Sequence, residues 1–276
     1  MTADRPPRVL VTNDDGVHAP GIRALARAAY ERGLDVVVAA PQHEASGMSA
    51  ALSAVTDDGR LVFGETELDG LPGVPAYAVA ASPAYIAVLA GLGVFGPVPD
   101  LLLSGINRGA NAGHAVLHSG TVGAALTAGN NGIRALAVSL DVLTAAAASA
   151  GSGGAAIAVL DSVDDESRHW STAAELAAAL LPWLAEADPG TVLNLNVPDR
   201  PADQVAGLRQ ATLAPFGQVQ MSIAERGEGF VRTAVEENAV RAVPGTDIAW
   251  LADGYATVTA LRALGHLPDV ELPVDR

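Results

Sequence analysis

Short continuous apolar runs along this chain alternate with segments of helical spacing, near 3.6 residues. Val9-Leu10-Val11-Thr12 is a short β-branched run that halts at Asn13-Asp14-Asp15-Gly16, after which helical spacing runs from Pro20 to Arg32. Gly33 is placed to end that helix, and Leu34 to Ala40 form a second apolar run closed by Pro41. Strand, loop, helix and strand in that order make a βαβ unit with parallel strands. The alternation then recurs. Ser82-Pro83 opens a helix through Gly91, Leu101 to Leu103 read as a buried strand, Ser119 caps a helix through Ala128, and Ala135 to Leu140 read as a strand. Ser171 to Ala187 reads as a helix whose Thr172 and Glu175 have capping-box spacing, and Val192 to Val197 follow as a strand. The pattern predicts an α/β fold, a doubly wound and mostly parallel sheet.

Two stretches depart from it. Residues 143 to 156 are mostly Ala, Gly and Ser, a flexible loop or a poor helix, and predict an insertion over 142–167. Beyond Pro201, short alternating segments around Gly207 to Leu213, Val219 to Ile223 and Phe230 to Val235 predict antiparallel hairpins, which suit an arm or an oligomer contact at about 207–245. No composition shift divides the chain, so residues 1–276 read as one domain.

Composition narrows the chemistry. Half of the 276 residues are hydrophobic and 17% are charged, which permits a large core and argues against wholesale disorder. Cysteine is absent, so a disulfide framework, a thiolate nucleophile and a Cys-ligated zinc are all excluded, and any metal must be held by oxygen or imidazole. With 16 basic against 31 acidic side chains the net charge is -15, which opposes binding to extended nucleic acid but not to a small phosphate ester. Met1 to Pro7 lack a secretion pattern, and no apolar run approaches the roughly 20 residues of a membrane span. The expected setting is cytoplasmic, with no membrane partner.

Four polar clusters follow predicted strands or open predicted helices on the edge where open parallel sheets place ligands. Asn13-Asp14-Asp15-Gly16 follows the first strand, and its adjacent carboxylates suit one hard cation, although an Asx turn with a glycine exit is equally consistent. Ser46-Gly47-Met48-Ser49 follows the second strand with hydroxyls and amides for metal or phosphate, or simply as a loop. Ser104-Gly105-Ile106-Asn107-Arg108-Gly109-Ala110-Asn111-Ala112-Gly113 follows a buried strand. Its asparagine carbonyls suit a cation and its glycine amides an anion. Ser119-Gly120-Thr121 stands before a helix, as a phosphate site or a plain serine cap. His18 is a candidate metal ligand or proton carrier, His114 and His118 are candidate general acids, and His43, Glu44 and Arg108 would reach the same mouth. The acidic run Asp161 to Glu166 reads as a solvated loop.

Val-Thr-Asn-Asp-Asp-Gly-Val-His-Ala-Pro-Gly-Ile at 11–22 resembles the opening signature of the SurE survival-protein family of nucleotidases. Ser46-Gly47-x-Ser49, Leu103-Ser104-Gly105-Ile106-Asn107-x-Gly109-x-Asn111-x-Gly113, Ser119-Gly120-Thr121-Val122, Ala135 to Ser139, Leu193-Asn194-Leu195-Asn196-Val197-Pro198 and Gly245-Thr246-Asp247 follow in the family's order, over nearly the whole chain. The resemblance implies a Rossmann-like core with a C-terminal β-hairpin arm, assembled as a homodimer or homotetramer. It also implies hydrolysis of nucleoside 5′- and 3′-monophosphates with one divalent cation per subunit, Mg²⁺ or Mn²⁺. It places Asp14, Asp15, Ser46 and Asn107 on the metal, with Asp14 and Asp15 catalytic. Asn13, Gly47, Ser49, Gly105, Asn111, Ser119, Gly120 and Thr121 fall around the phosphate. Whether water or an aspartate attacks phosphorus stays open.

Departures from that pattern concentrate beside the pocket. The family's Asp-Arg-Asn-x-Ser-Gly-x-Ser-Asn stands here as Gln42-His43-Glu44-Ala45-Ser46-Gly47-Met48-Ser49-Ala50, without the arginine and the asparagines. The family's Gly-Thr-Pro-x-Asp-Cys stands as Ala81 to Ile86, and the Glu-Gly after Ser-Gly-Thr as Thr127-Ala128. A related phosphorylated metabolite is therefore an expected substrate alongside nucleotides, and a catalytically weak phosphate-binding or regulatory homologue is the alternative. A dinucleotide-dependent enzyme is disfavoured, since no G-x-G-x-x-G follows the first strand.

Overall fold

The computed structural model describes residues 5–45, 47–143, 164–217, 219–237 and 243–262. Buried β-branched and Leu-rich runs form β1 (Arg8–Thr12) and β2 (Asp35–Pro41), with α1 (Pro20–Glu31) between them. Proline at the start of α1 needs no amide partner there, and Ile22, Leu25, Ala26 and Ala29 recur at helical spacing on its buried face. Two tiny strands, β3 (Thr56–Asp57) and β4 (Arg60–Leu61), make a ribbon of their own. Next come β5 (Phe63–Thr66), β6 (Ala76–Val79), α2 (Pro83–Gly91), β7 (Leu101–Arg108), α3 (Gly120–Asn130) and β8 (Arg134–Asp141). The chain continues through α4 (Trp170–Glu186), β9 (Val192–Pro198), β10 (Leu208–Gln210), the hairpin β11 (Val219–Gly227) and β12 (Phe230–Glu237), α5 (Asp247–Ala252) and β13 (Ala256–Leu261).

Nine strands form one sheet in the order β10-β13-β9-β8-β7-β1-β2-β6-β5. The six central strands from β9 to β6 run parallel, while β5 and β13 pair antiparallel to their inner neighbours. One face packs on α1 and α4 through Val9, Val11, Leu103, Leu136 and Leu195; the other packs on α2 and α3 through Leu10, Leu102, Ala135 and Val37. Burial on both faces is why the central strands read as continuous apolar runs. The α/β, doubly wound, mostly parallel class is as the sequence predicts.

Two expectations change. The segment around 207–213 is not a hairpin: β10 lies parallel to β13 and extends the main sheet. Three residues cannot sustain a ribbon alone, whereas the open edge of β13 offers unpaired backbone groups. Only β11 and β12 form the antiparallel arm. The capping box proposed for α4 is absent, because the helix begins a residue earlier at Trp170, and buried Thr172 donates its hydroxyl to the Arg200 carbonyl at 3.0 Å. Most of the predicted insertion, residues 144–163, lies outside the described residues. Among the described residues, no helix is long and apolar enough to cross a membrane.

Candidate active site

The loops after β1 and β7 and the start of α3 meet at the carboxyl ends of the central strands. There a cavity of about 260 Å³ is lined by Asp14, Asp15, Glu44, Gly47, Asn107, Arg108, Asn111, Ala115, His118 and Ser119. Asn13 is fully buried and does not line it; its side-chain amide donates to the Gly16 carbonyl at 2.8 Å and closes the loop that carries both aspartates. Asp14 is only 3% exposed and lies against α3, where it accepts hydrogen bonds from the hydroxyl and the backbone N–H of Thr121. Gly120 makes this approach possible, since a Cβ there would stand 2.7 Å from the Asp14 Oδ2. Ser119 caps the same helix by accepting from Val122 N–H at 3.0 Å. The positive end of α3 therefore serves a serine and a carboxylate of the protein itself.

Burial pushes the Asp14 carboxyl up despite the Thr121 hydrogen bonds. Asp15 rises to about 7, first through burial and then through the charge of Asp14, with Glu44 adding to both; the Arg108 backbone N–H, 3.4 Å from Asp15 Oδ2, and the Arg108 charge oppose this. Two neighbouring carboxyls thus resist ionising together. Asn107 donates its side-chain amide to the Gly109 carbonyl at 2.8 Å, which leaves its Oδ1 with no donor among the described residues. Two electron-rich carboxylates and an undonated amide oxygen on one cavity form an oxygen-only set that fits a hard divalent cation. Ser46, the fourth expected ligand, lies outside the described residues.

The remaining expected phosphate residues divide. Gly47, Asn111 and Ser119 line the cavity, whereas Gly120 and Thr121 sit just behind Asp14. Gly105 and Ser49 do not line the cavity, and each has a packing contact of its own. Gly105 is buried in the sheet, where a Cβ would come within 2.2 Å of the Val138 carbonyl oxygen, so its glycine is required by close strand packing. Ser49 donates its hydroxyl to the Leu117 carbonyl at 2.7 Å and latches the loop after β2 onto the turn before α3. Of the histidines, His118 lines the cavity, His43 lines a neighbouring one, and His18 and His114 are exposed outside both. The described part of the acidic run is not merely solvated: Asp165 pairs with Arg168 and Glu166 with Arg23.

Sequence reasoning missed the residues that hold Asn111. Asn196 accepts from its backbone N–H at 2.8 Å, Asn194 and Asn196 both donate to its carbonyl, and its side-chain amide donates to Ser139 Oγ at 2.8 Å. The signal was present as two asparagines two positions apart in an otherwise apolar buried strand, on the same face of β9. Buried Asp247 likewise accepts from the backbone N–H groups of Gly113 and Ala214 at 2.7 and 2.9 Å, tying the start of α5 to the site loop.

Fold and site together define a parallel α/β protein with a carboxylate and amide pocket at a strand carboxyl edge, where open parallel sheets place their ligands. Comparison with known proteins gives the family. The survival protein SurE family matches residues 9–220, and the chain belongs to it. A 5′/3′-nucleotidase SurE of Shigella dysenteriae is 36% identical over 92% of this chain and 90% of its own length, and the same holds for one of Escherichia coli O127:H6. The crystal structure of the SurE protein from Aquifex aeolicus, 27% identical, superposes with a TM-score of 0.69 over 93% of this chain and 94% of that one.

Proposed function

We propose that this chain is a divalent-metal-dependent phosphomonoesterase that hydrolyses nucleoside 5′- and 3′-monophosphates or a related phosphorylated metabolite. The observation that carries the reading is the convergence of Asp14, Asp15 and the undonated Asn107 Oδ1 on one cavity beside the N-terminus of α3. Membership of the family and the nucleotidase names of its relatives support the reaction class. Asp14, Asp15 and Asn107, with Ser46, would hold the cation, Mg²⁺ or Mn²⁺. When bound, it supplies charge to the phosphoryl oxygens and a means of acidifying water.

The chain's own groups do the rest. Thr121 fixes the rotamer of Asp14, and the Arg108 backbone N–H steadies Asp15. Asn111, clamped by Asn194, Asn196 and Ser139, presents a fixed wall to the phosphate. His118, on the cavity wall, is placed to protonate a leaving oxygen. A neighbouring cavity of about 440 Å³ shares Glu44 and is lined by Gln42, His43, Met48, Val55, Val79 and Ala81, a mostly apolar wall that supports a leaving group of nucleoside size. The loop rewritten relative to the family is the one that lines it. A chain without cysteine suits a reducing cytoplasm, and the β11–β12 arm suits a homodimer or homotetramer.

Phosphate release from nucleoside monophosphates, sugar phosphates and an aryl phosphate, with Mn²⁺ or Mg²⁺ and with chelator, tests this reading. Chelator-sensitive turnover with nucleotides preferred is the expected result. Cation binding without release from any ester would favour the phosphate-binding alternative.

A further inference from the structure

All 16 basic side chains of this chain are arginine. Among the described residues Arg108 is the only one that lines the Asp14–Asp15 cavity, and it also lines an adjoining cavity of about 280 Å³ with Asp15, Glu44, Asp165 and Trp170. Four carboxylates, Asp14, Asp15, Glu44 and Asp165, therefore surround the mouth through which a doubly charged ester must pass. Neighbouring arginines are committed elsewhere: Arg23 to Glu166 and the His18 carbonyl, and buried Arg168 to Asp165 and Asp199.

Arg108 differs from them. Its backbone N–H lies 3.4 Å from Asp15, which fixes the root of the side chain beside the carboxylate pair. Its guanidinium, 42% exposed, reaches Asp165 only at 3.8 Å, beyond hydrogen-bond range, and makes no side-chain hydrogen bond among the described residues. Asp165 does not depend on it, being held by Arg168 Nε at 2.8 Å and by the Trp170 indole, which donates to its carbonyl at 2.6 Å. Such a loose, half-exposed pair contributes little and exchanges readily for a better anion. Resting on the phosphomonoesterase reading, we propose that Arg108 is the substrate-binding cation of this site and that Asp165, at the exit of the 142–167 segment, holds it in waiting. A guanidinium offers a fork matched to two phosphoryl oxygens, a geometry an ammonium cannot reproduce.

The test uses the full chain loaded with Mn²⁺, with an aryl phosphate and a nucleoside monophosphate as substrates. Wild-type turnover, and its loss in Asp14→Asn, first establish the underlying reading. Arg108→Gln is then expected to raise KM about tenfold, with the smaller effect on kcat, and Arg108→Lys to recover only part of it. Asp165→Asn is expected to lower KM in the wild-type background but not in Arg108→Gln, a non-additivity that a general change in field would not produce. An unchanged KM in Arg108→Gln, or an equal effect of Asp165→Asn in both backgrounds, overturns the proposal. Should wild type release no phosphate, the reading of activity fails on its own. Arg108 is then judged by inorganic phosphate binding to the Mn²⁺-loaded protein, which Arg108→Gln must weaken.

Discussion

Asp15 carries the sharpest consequence at the scale of single residues. Its carboxyl titrates near 7 in the folded chain, against a model-peptide value of 3.8, so between those pH values the folded state binds more protons than the unfolded one. Stability of the metal-free protein must then fall as pH rises from about 4 through 7, the reverse of a salt-bridged aspartate. Thermal melting in chelator is expected to give a higher midpoint at pH 5.5 than at pH 8, and Asp15→Asn should raise the pH 8 midpoint and flatten the slope. A midpoint independent of pH would place Asp15 in ordinary solvent. Asp14, proposed to hold the cation, is steadied by its contact with α3. Removing its carboxylate with Asp14→Ala is expected to lower kcat/KM at least about hundredfold, measured as phosphate release at saturating Mn²⁺.

Among the elements, β9 shows how a strand can serve both core and site. Leu193, Leu195 and Val197 fill one face, while Asn194 and Asn196 on the other grip the backbone of Asn111. Asn196→Ala is expected to cost roughly 10- to 100-fold in kcat/KM, because the loop between β7 and α3 loses its anchor while the strand stays paired. Kinetics equal to wild type would show that Asn194 and Ser139 hold Asn111 without Asn196. Gly105→Ala should instead strike folding, since its methyl group would overlap the Val138 carbonyl, and loss of soluble yield or a lower melting midpoint would register it.

The same elements explain what the sequence made legible. Buried parallel strands announce themselves as apolar runs, so β1, β2, β7, β8 and β9 were readable, as were the loops that follow β1, β2 and β7. Short edge strands such as β5 and β10 carry exposed residues without a clean period, and their place depends on which edge is open. Site residues supplied by a single loop were likewise readable. Ser139, Asn194, Asn196 and Asp247 act from afar on a loop that only the folded sheet brings beside them. The packing of Gly105 and the loop latch of Ser49 were not legible, because a glycine needed for packing and a serine that latches a loop look the same in sequence as ligand-binding residues.

Taken whole, the molecule places an anion site in a chain of net charge -15, so charge repels the substrate at long range and attraction must be local. Its hairpin arm, β11 with β12, pairs with no other strand among the described residues and exposes Ile223, Phe230 and Val231, apolar groups that the proposed contact with another copy would cover. Excising residues 219–237 and bridging the ends with a short glycine-serine loop is expected to leave the nine-stranded sheet folded and to lower the oligomeric state in solution, measured by light scattering. An unchanged mass would remove the arm from the assembly.

Asp14, Asp15 and Asn107 are proposed to hold a divalent cation on which hydrolysis depends. Calorimetric titration of Mn²⁺ into metal-free wild type and Asp15→Asn, paired with phosphate release from a nucleoside monophosphate at each point, tests this most directly. One cation bound per subunit in wild type is expected, with turnover that rises in step with occupancy and loss of both in the variant. Wild-type turnover at full rate without bound cation, or unimpaired binding and turnover in Asp15→Asn, would contradict it.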